Sequence, residues 1–521
     1  MTAAQARRAP RWWAALAGVV AGGALVAVAE LLALLFGSAS APFVAVGGAF
    51  IDLIPPWVKD LAIALFGTWD KVALFASMGL VHAALTALIG LLGRRRPGLA
   101  AALLGGLGLV AAVVVLTRAQ NSIPDVMPTL VGTLVAVPLL GWLLRRQEPA
   151  ADGADAASAA GAVTPRRALL PLAVTAAAAL VVGGGARALN ASREAARAVA
   201  ETFRIPTPAT RAAEIPAEAA VDVEGMPPYL TPNDEFYRID TALAVPRIDP
   251  ADWSLRIHGL VDQELTLSFE ELLAEPATEA HVTLTCVSNS VGGELAGNAT
   301  WIGVPVRTLL ERAGVQDGAD MVLSRSHDGF TASTPLEALT DDRDSLLAVA
   351  MNGEPLPREH GFPVRMVVPG LYGYVSATKW LTELKVTRFA DDRAYWSDRG
   401  WSERGPIKIA SRVDVPRAFA TLTPDAEDAV VLGGTAWAQQ RGIAAVQVRI
   451  DDGDWREAEL GAEVSIDTWT QWSLRWEDPA PGDHTVTVRA VDREGEQQTE
   501  EEASPAPDGA SGWHSLQFTV E

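Results

Sequence analysis

The chain has 521 residues, enough for roughly three domains. Hydrophobic residues make up 49% of it and charged ones 20%, a mix that excludes disorder as the main state. With 63 acidic against 42 basic residues the net charge is −21. Nucleic acid is therefore an unsuitable partner, because a phosphate backbone needs a basic footprint. Cys286 is the single cysteine, so an intramolecular disulfide framework and a metal site built on several thiolates are both excluded.

The charge is unevenly spread. Residues 1–186 are rich in Ala, Leu, Val and Gly, and residues 187–521 are acidic. Crossing a hydrocarbon core takes about 20 apolar residues. Trp12–Gly37, Lys71–Leu92, Gly98–Leu116, Met127–Leu144 and the Ala/Gly-rich Ala168–Ala186 meet that length, which predicts an all-α transmembrane bundle of about five helices. Pro42–Ile54 and Trp57–Phe66 are short and split by Pro55–Pro56, and read as interfacial or re-entrant. Arg7, Arg8 and Arg11, then Arg94–Arg96, Arg145–Arg146 and Arg166–Arg167, all fall on one side if there are five spans. By the positive-inside rule that side is cytoplasmic, and residues 187–521 lie outside the cytoplasmic membrane. Gln147–Thr164 is a cytoplasmic linker. Arg166–Arg167 also resembles a twin-arginine export signal; flanking positive charge is the plainer reading. His82 is the one histidine in the spans, so a bis-histidine haem is not expected on this chain. Glu30 and His82 read as hydrogen-bonding groups between helices.

Residues 187–234 are expected to be a linker. From Glu235 to about Ala410 the pattern is α+β. Trp253–Gly259 alternates as a strand, and Ser268 caps a short helix to Leu273. His281–Cys286 is a strand entering a Gly-rich loop; Val306–Ala313 is helical, and Val364–Pro369 is a buried strand. The remaining stretch, 411–521, has short strands (Ala445–Ile450, His484–Val491, Trp513–Val520) with Asp/Gly turns, which predicts an all-β immunoglobulin-like sandwich.

Cys286 ends its strand and precedes Asn289, Gly292, Gly293 and Gly297, small residues that let a backbone approach a bulky ligand. A nucleophile would want a histidine partner, but His281 is five residues back on the same strand and so faces the other way. Packing and metal ligation stay level on the residues alone.

Several motifs occur in order: Thr283-Leu-Thr-Cys-Val-Ser-Asn-Ser-Val-Gly-Gly293, Trp301-Ile-Gly-Val-Pro-Val306, Ala350-Met-Asn-Gly-Glu-Pro-Leu-Pro357, His360-Gly-Phe-Pro-Val-Arg-Met-Val-Val-Pro-Gly370 and Thr378-Lys-Trp-Leu381. Together they resemble the molybdopterin-binding domain of the sulfite oxidase family, and the tail from about Ser411 resembles its dimerisation domain. The resemblance runs from Glu235 to Glu521 and leaves out the membrane part. It implies an oxidoreductase with a molybdenum–molybdopterin cofactor, in which Cys286 is the thiolate metal ligand. A soft thiolate suits a sulfur-held metal that keeps it deprotonated. Asn289, Arg365 and Lys379 fall on cofactor-side motifs, the last two as candidates for the pterin phosphate. Arg238 (in Phe236-Tyr-Arg-Ile-Asp240) and Arg441 match pocket arginines. The plain alternative for each cation is an ion pair, for Arg238 with Asp240. His360 reads as structural.

Two departures bear on substrate. The animal and plant enzymes carry an Arg pair where Ser290 and Val291 stand here, and a tyrosine where Val349 stands. Both changes remove polar donors that a dianion such as sulfite needs. The expectation is oxygen-atom transfer on a sulfite-like or sulfoxide-like small substrate. Electrons would pass to a separate carrier, a cytochrome or quinone-linked protein. A homodimer would form through the tail. A non-catalytic pterin- or partner-binding module is the alternative from another class. A transporter is disfavoured, since the spans show no internal repeat.

Overall fold

The computed structural model describes residues 10–36, 40–54, 58, 65–66, 70–118, 121–145 and 204–521. The chain divides into two compact units, residues 1–202 with 242–247 and residues 203–241 with 248–521.

The first unit is helical: α1 (Arg11–Phe36), α2 (Pro42–Leu53), α3 (Asp70–Gly93), α4 (Pro97–Leu116) and α5 (Met127–Arg145). All but α2 belong to the four helical stretches long and apolar enough to cross a membrane. They match the first four expected spans to within a residue or two at each end. The expected fifth, Ala168–Ala186, lies outside the described residues, as do Gln147–Thr164 and Arg166–Arg167. At 12 residues α2 is too short to span. Glu30 accepts the Phe43 backbone N–H at 3.0 Å, so its carboxylate serves the start of α2. The long helices approach through small residues. A side chain on Gly18 would meet the Thr86 carbonyl, one on Gly90 the Ala14 carbonyl, and one on Gly132 the Leu25 carbonyl. Glycine allows that backbone approach where lipid supplies no hydrophobic drive between helices.

In the second unit, the α+β part holds two sheets. Its strands are β1 (Ser254–Gly259), β2 (Leu265–Ser268), β3 (Thr278–Thr285), β4 (Ala296–Pro305), β5 (Met321–Ser326), β6 (Thr331–Pro335), β7 (Leu346–Met351), β8 (Glu354–Pro355), β9 (Arg365–Val367) and β10 (Leu381–Thr387). One sheet runs β2-β1-β10-β5-β6; the other runs β3-β4-β7-β8, with β9 also paired to β7. α6 (Phe269–Leu273) starts with a reciprocal cap between Ser268 and Glu271. α7 (Val306–Ala313) buries Val306, Leu309, Leu310 and Ala313 on one face and ends at Gly314, whose φ of +69° a glycine adopts freely.

The C-terminal part is all-β. One sheet pairs Ala410–Val415, Ala429–Trp437, Thr470–Glu477 and Glu459–Leu460; the other pairs Thr421–Leu422, His514–Val520, Gly482–Asp492, Ile443–Ile450 and Arg456–Glu457. Leu432 and Trp472 from the first sheet and Val448, Val488 and Phe518 from the second belong to one buried cluster, so the sheets share a core.

Residues 204–234, expected as linker, are part of this unit. Tyr229 is buried, donates its hydroxyl proton to Thr468 Oγ1 at 3.0 Å, and its carbonyl accepts from Asn298 Nδ2 at 3.1 Å. An aromatic anchor with satisfied polar groups outweighs the Pro-rich composition that suggested a spacer.

Gly90→Leu is expected to force α1 and α3 apart and lower the melting temperature of the detergent-solubilised protein by several degrees. Gly79→Leu, where a side chain meets nothing, should leave it unchanged. Thermal unfolding monitored by circular dichroism checks the pair.

Candidate functional site

β3 and β4 form a hairpin whose pairing closes at Thr285 and Ala296, and the connection between them carries Cys286. The loop is folded back on itself. Cys286 N donates to Leu295 O at 2.9 Å, Asn289 N to Cys286 O at 3.0 Å and Gly293 N to Ser290 O at 2.9 Å. Asn289 Oδ1 accepts Leu295 N at 2.8 Å. Asn289, expected as a cofactor contact, instead closes the loop and does not line the cavity that holds Cys286.

The all-β part holds this loop from outside. Arg412, 7% exposed, donates to Gly293 O at 2.8 Å while its Nε donates to Asp414 at 2.7 Å. His514 accepts Val413 N at 3.0 Å, and its ring stands where a side chain on Gly292 would have to go. Gly292 has φ +72°, so position and contact both require glycine. Burial and the neighbouring Arg412 charge pull His514 down to about 4, leaving the ring neutral at neutral pH.

Cys286, Val287 and Ser288 face a cavity enclosing about 920 Å³ of empty space, open mouth included. Burial pushes the Cys286 thiol up, partly offset by hydrogen bonds from Ser288. Free, it stays a thiol at neutral pH; a soft cation that displaces the proton reverses that preference.

Arg365, on β9, lines the same cavity and is 5% exposed. Its Nη1 donates to His360 O at 3.2 Å, its Nε to Met366 O at 3.3 Å, and its guanidinium lies 5.0 Å from the Trp301 ring centroid. No carboxylate among the described residues pairs with it. Burial pulls it down to about 10, and it remains a cation at neutral pH. A buried charge without a counter-ion is costly, and an anionic ligand would supply one. Lys379 donates to Asp240 Oδ2 at 2.8 Å and to Glu359 O at 3.2 Å. Burial pulls it down to about 8 against the opposing pull of Asp240.

Tyr237 is half-buried in the wall, and desolvation raises its phenol far above the usual range, so it is neutral. His360 donates its Nε2–H to Asn233 O at 2.8 Å, because that carbonyl oxygen only accepts. Burial first, and the Arg365 charge next, pull His360 down to about 4. Among the described residues, Ser326 Oγ is buried on this wall without a partner, and the Asp328 carboxylate has no cation paired with it.

Two expected pocket arginines are elsewhere. Arg238 pairs with Asp240 at 3.0 Å and is 41% exposed, while its neighbours Tyr237, Ile239 and Asp240 line the cavity. Arg441 pairs with Asp492 at 2.7 Å and Glu496 at 2.5 Å, in a separate depression it shares with Arg343, Arg404 and Lys408. In both cases a nearby carboxylate claims the guanidinium. Cys286, Arg365 and Lys379 do share one cavity. The residues that sequence reasoning passed over as site residues reach it from two segments: Tyr237 and Asp240 from the loop before β1, and Ser326 and Asp328 from the end of β5 and the turn after it.

Residues 242–396 match the oxidoreductase molybdopterin binding domain. A 157-residue stretch is 39% identical to the uncharacterized oxidoreductase YuiH of Bacillus subtilis (strain 168), covering 30% of this chain and 76% of that protein. The chain belongs to the sulfite oxidase family of molybdopterin-dependent oxidoreductases. It is also 31% identical over 316 residues to the mitochondrial sulfite oxidase of Drosophila melanogaster, covering 51% of this chain and 54% of the relative. The chain thus spans about half the length of the curated sulfite oxidases it matches. The sulfane dehydrogenase SoxCD of Paracoccus pantotrophus superposes with a TM-score of 0.48 at 24% identity, covering 58% of this chain and 85% of that one.

The cavity fits the family's cofactor. Cys286 offers a soft ligand, and Arg365 and Lys379 offer cations for a phosphate. Asp328 and the orphaned Ser326 hydroxyl offer partners for the N–H and oxygen groups of a pterin ring.

In cofactor-free protein, iodoacetamide should alkylate Cys286 far more slowly at pH 8 than a free thiol, because a raised pKa leaves less thiolate at any given pH. Gly292→Ala, which cannot fit against His514, should speed labelling by dislodging the loop and exposing the thiol. Mass spectrometry of labelling time courses reads both.

Proposed function

We propose that this chain is a membrane-anchored molybdenum-cofactor oxidoreductase of the sulfite oxidase type, catalysing oxygen-atom transfer on a small sulfite-like or sulfoxide-like substrate outside the cytoplasmic membrane. The observation that carries it is the meeting of the Cys286 thiol with the buried, counter-ion-free Arg365 in one cavity. When bound, the molybdenum cofactor supplies two-electron oxygen-atom exchange. The protein's part is to hold and orient. Cys286 would be the metal ligand. Arg365 and Lys379 would take the phosphate, and Asp328, Ser326 and Tyr237 would set the pterin ring. The loop bonds of Asn289, Arg412 and His514 would keep the sulfur in place.

Arg238 and Arg441, read from the resemblance as substrate contacts, fit better as partners of Asp240 and of Asp492 with Glu496. Arg238 then acts through Asp240, which it shares with Lys379. The four long apolar helices support a membrane anchor, and the side on which the Arg clusters fall supports a catalytic unit outside once the expected fifth span, Ala168–Ala186, is added. The two-sheet C-terminal part supports an immunoglobulin-like domain that pairs two copies. With no haem expected on this chain, electrons would pass to a separate carrier.

Wild-type protein purified from a cofactor-producing host is expected to hold stoichiometric molybdenum by elemental analysis and to release pterin fluorescence on denaturation. Cys286→Ser should change the metal's X-ray absorption spectrum by loss of one sulfur neighbour. Arg365→Met should lower cofactor retention at least tenfold, as expected for loss of hydrogen bonds to a charged group. Folded wild-type protein without metal or pterin would refute the enzyme reading and favour a non-catalytic binding module.

A further inference from the structure

Arg365 and Lys379 are near neighbours on the cavity wall. The segments that carry them pair, with Met366 N donating to Thr378 O and Leu381 N to Val364 O, both at 2.9 Å. A side chain built on Gly361 would lie 3.0 Å from the Cβ of each, so position 361 has room for glycine only. Like charges so placed repel, and the scarcity of water strengthens the repulsion. Among the described residues only Lys379 has a carboxylate partner, Asp240.

Each cation also lies over the face of a fully buried tryptophan. The Arg365 guanidinium carbon stands 5.0 Å from the Trp301 ring centroid, and Lys379 Nζ stands 4.8 Å from that of Trp380. Both rings are fixed in place. Trp301 donates its Nε1–H to Val282 O at 3.2 Å and meets Phe236 edge-on at 5.9 Å. Val282 belongs to β3, the strand that ends in front of Cys286. Trp380 donates its Nε1–H to Arg358 O at 2.9 Å. Its φ is +51°, a backbone region that a bulky side chain rarely occupies. Strain of that kind persists where the surrounding structure holds it, and it clusters at ligand sites.

A carboxylate beside a buried cation would neutralise it and compete with an incoming anion. An indole face attracts the cation through its quadrupole and leaves the charge in place. Arg365 spends Nε and Nη1 on backbone carbonyls, while its Nη2 has no hydrogen-bond partner among the described residues. The charge and part of the donor set therefore stay available on the cavity side.

We propose that Trp301 and Trp380 are positioning residues, whose faces hold Arg365 and Lys379 charged and correctly placed in the cofactor-free protein so that the two cations can receive the cofactor's phosphate. The proposal rests on the reading of these cations as the phosphate site. Each tryptophan acts through the cation above it and does not touch the phosphate.

The test uses full-length protein made without the cofactor, inorganic pyrophosphate as probe and isothermal titration calorimetry as readout. Trp301→Leu is expected to weaken pyrophosphate binding by roughly tenfold, the size of one desolvated cation–π contact. Trp301→Phe, which keeps an aromatic face, should recover most of that loss. Both variants will melt at lower temperature, as any trimmed core tryptophan does, so stability does not discriminate. Dependence on the cation does. In an Arg365→Met background Lys379 still offers the probe a charge, and there Trp301→Leu should change the affinity by less than about twofold. The same cycle pairs Trp380→Leu with Lys379→Met, and it decides if Trp301→Leu does not fold. An equal loss with and without Arg365 would mark Trp301 as a packing residue and overturn the proposal, as would wild-type affinity in Trp301→Leu. Wild-type protein that binds no pyrophosphate would refute the phosphate reading of the two cations, and the proposal with it.

Discussion

A metal ligand at the end of a strand is only as fixed as the strand behind it, and Thr283 is where β3 is held. Its hydroxyl donates to Asn298 Oδ1 at 3.1 Å and accepts Trp469 N at 2.8 Å. Its backbone N–H donates to Asp467 O at 3.0 Å, and its carbonyl accepts from Gln439. Asp467, Trp469 and Gln439 all come from the all-β part. Further on, at Gly292 and Gly293, His514 and Arg412 take hold of the loop itself. The C-terminal sheets are therefore a structural component of the Cys286 site, whatever else they bind. Small residues in the loop give room for a bulky ligand, and the surrounding hydrogen bonds remove the freedom those residues would otherwise have.

Charge in the cavity is arranged by distance from carboxylates. Asp240 has a side chain only 4% exposed and joins Lys379 inside to Arg238 outside. Arg365, deeper, is left with backbone carbonyls and the face of Trp301. Isolated, such a guanidinium would be a liability of several kcal/mol. Opposite a phosphate it becomes the strongest point of attachment, because charge-assisted bonds gain most where water is excluded. The same dryness holds Tyr237 neutral and His360 uncharged, so the wall near the thiol adds hydrogen-bonding capacity without further charge.

Much of the fold is legible in the sequence, because its signals are local. Ser268 with Glu271 marks a helix start, the period of Val306, Leu309, Leu310 and Ala313 marks a buried helical face, and the apolar lengths mark the four described long helices. Cys286 with its glycines marks a loop of small residues after a strand. Side-chain direction is not legible. Arg238 sits in a motif whose neighbours face the cavity while it turns to Asp240. Arg441 is taken by Asp492 and Glu496, and Asn289 spends its carbonyl on Leu295. Tyr237 and Asp328 reach the site from distant segments, and only tertiary structure brings them to Cys286. The Pro-rich stretch 204–234 misleads for a similar reason, since one buried tyrosine decides its place.

The contact between His514 and Gly292 has a consequence for biosynthesis. His514 lies far downstream of Cys286, in a strand that pairs with Gly482–Asp492. A ribosome emits the Cys286 loop long before the histidine that steadies it. A nascent chain threaded through a membrane channel as it is made would present that loop without its outer wall, in a compartment where the cofactor would have to be found. Completing the polypeptide first lets both halves close around the loop together.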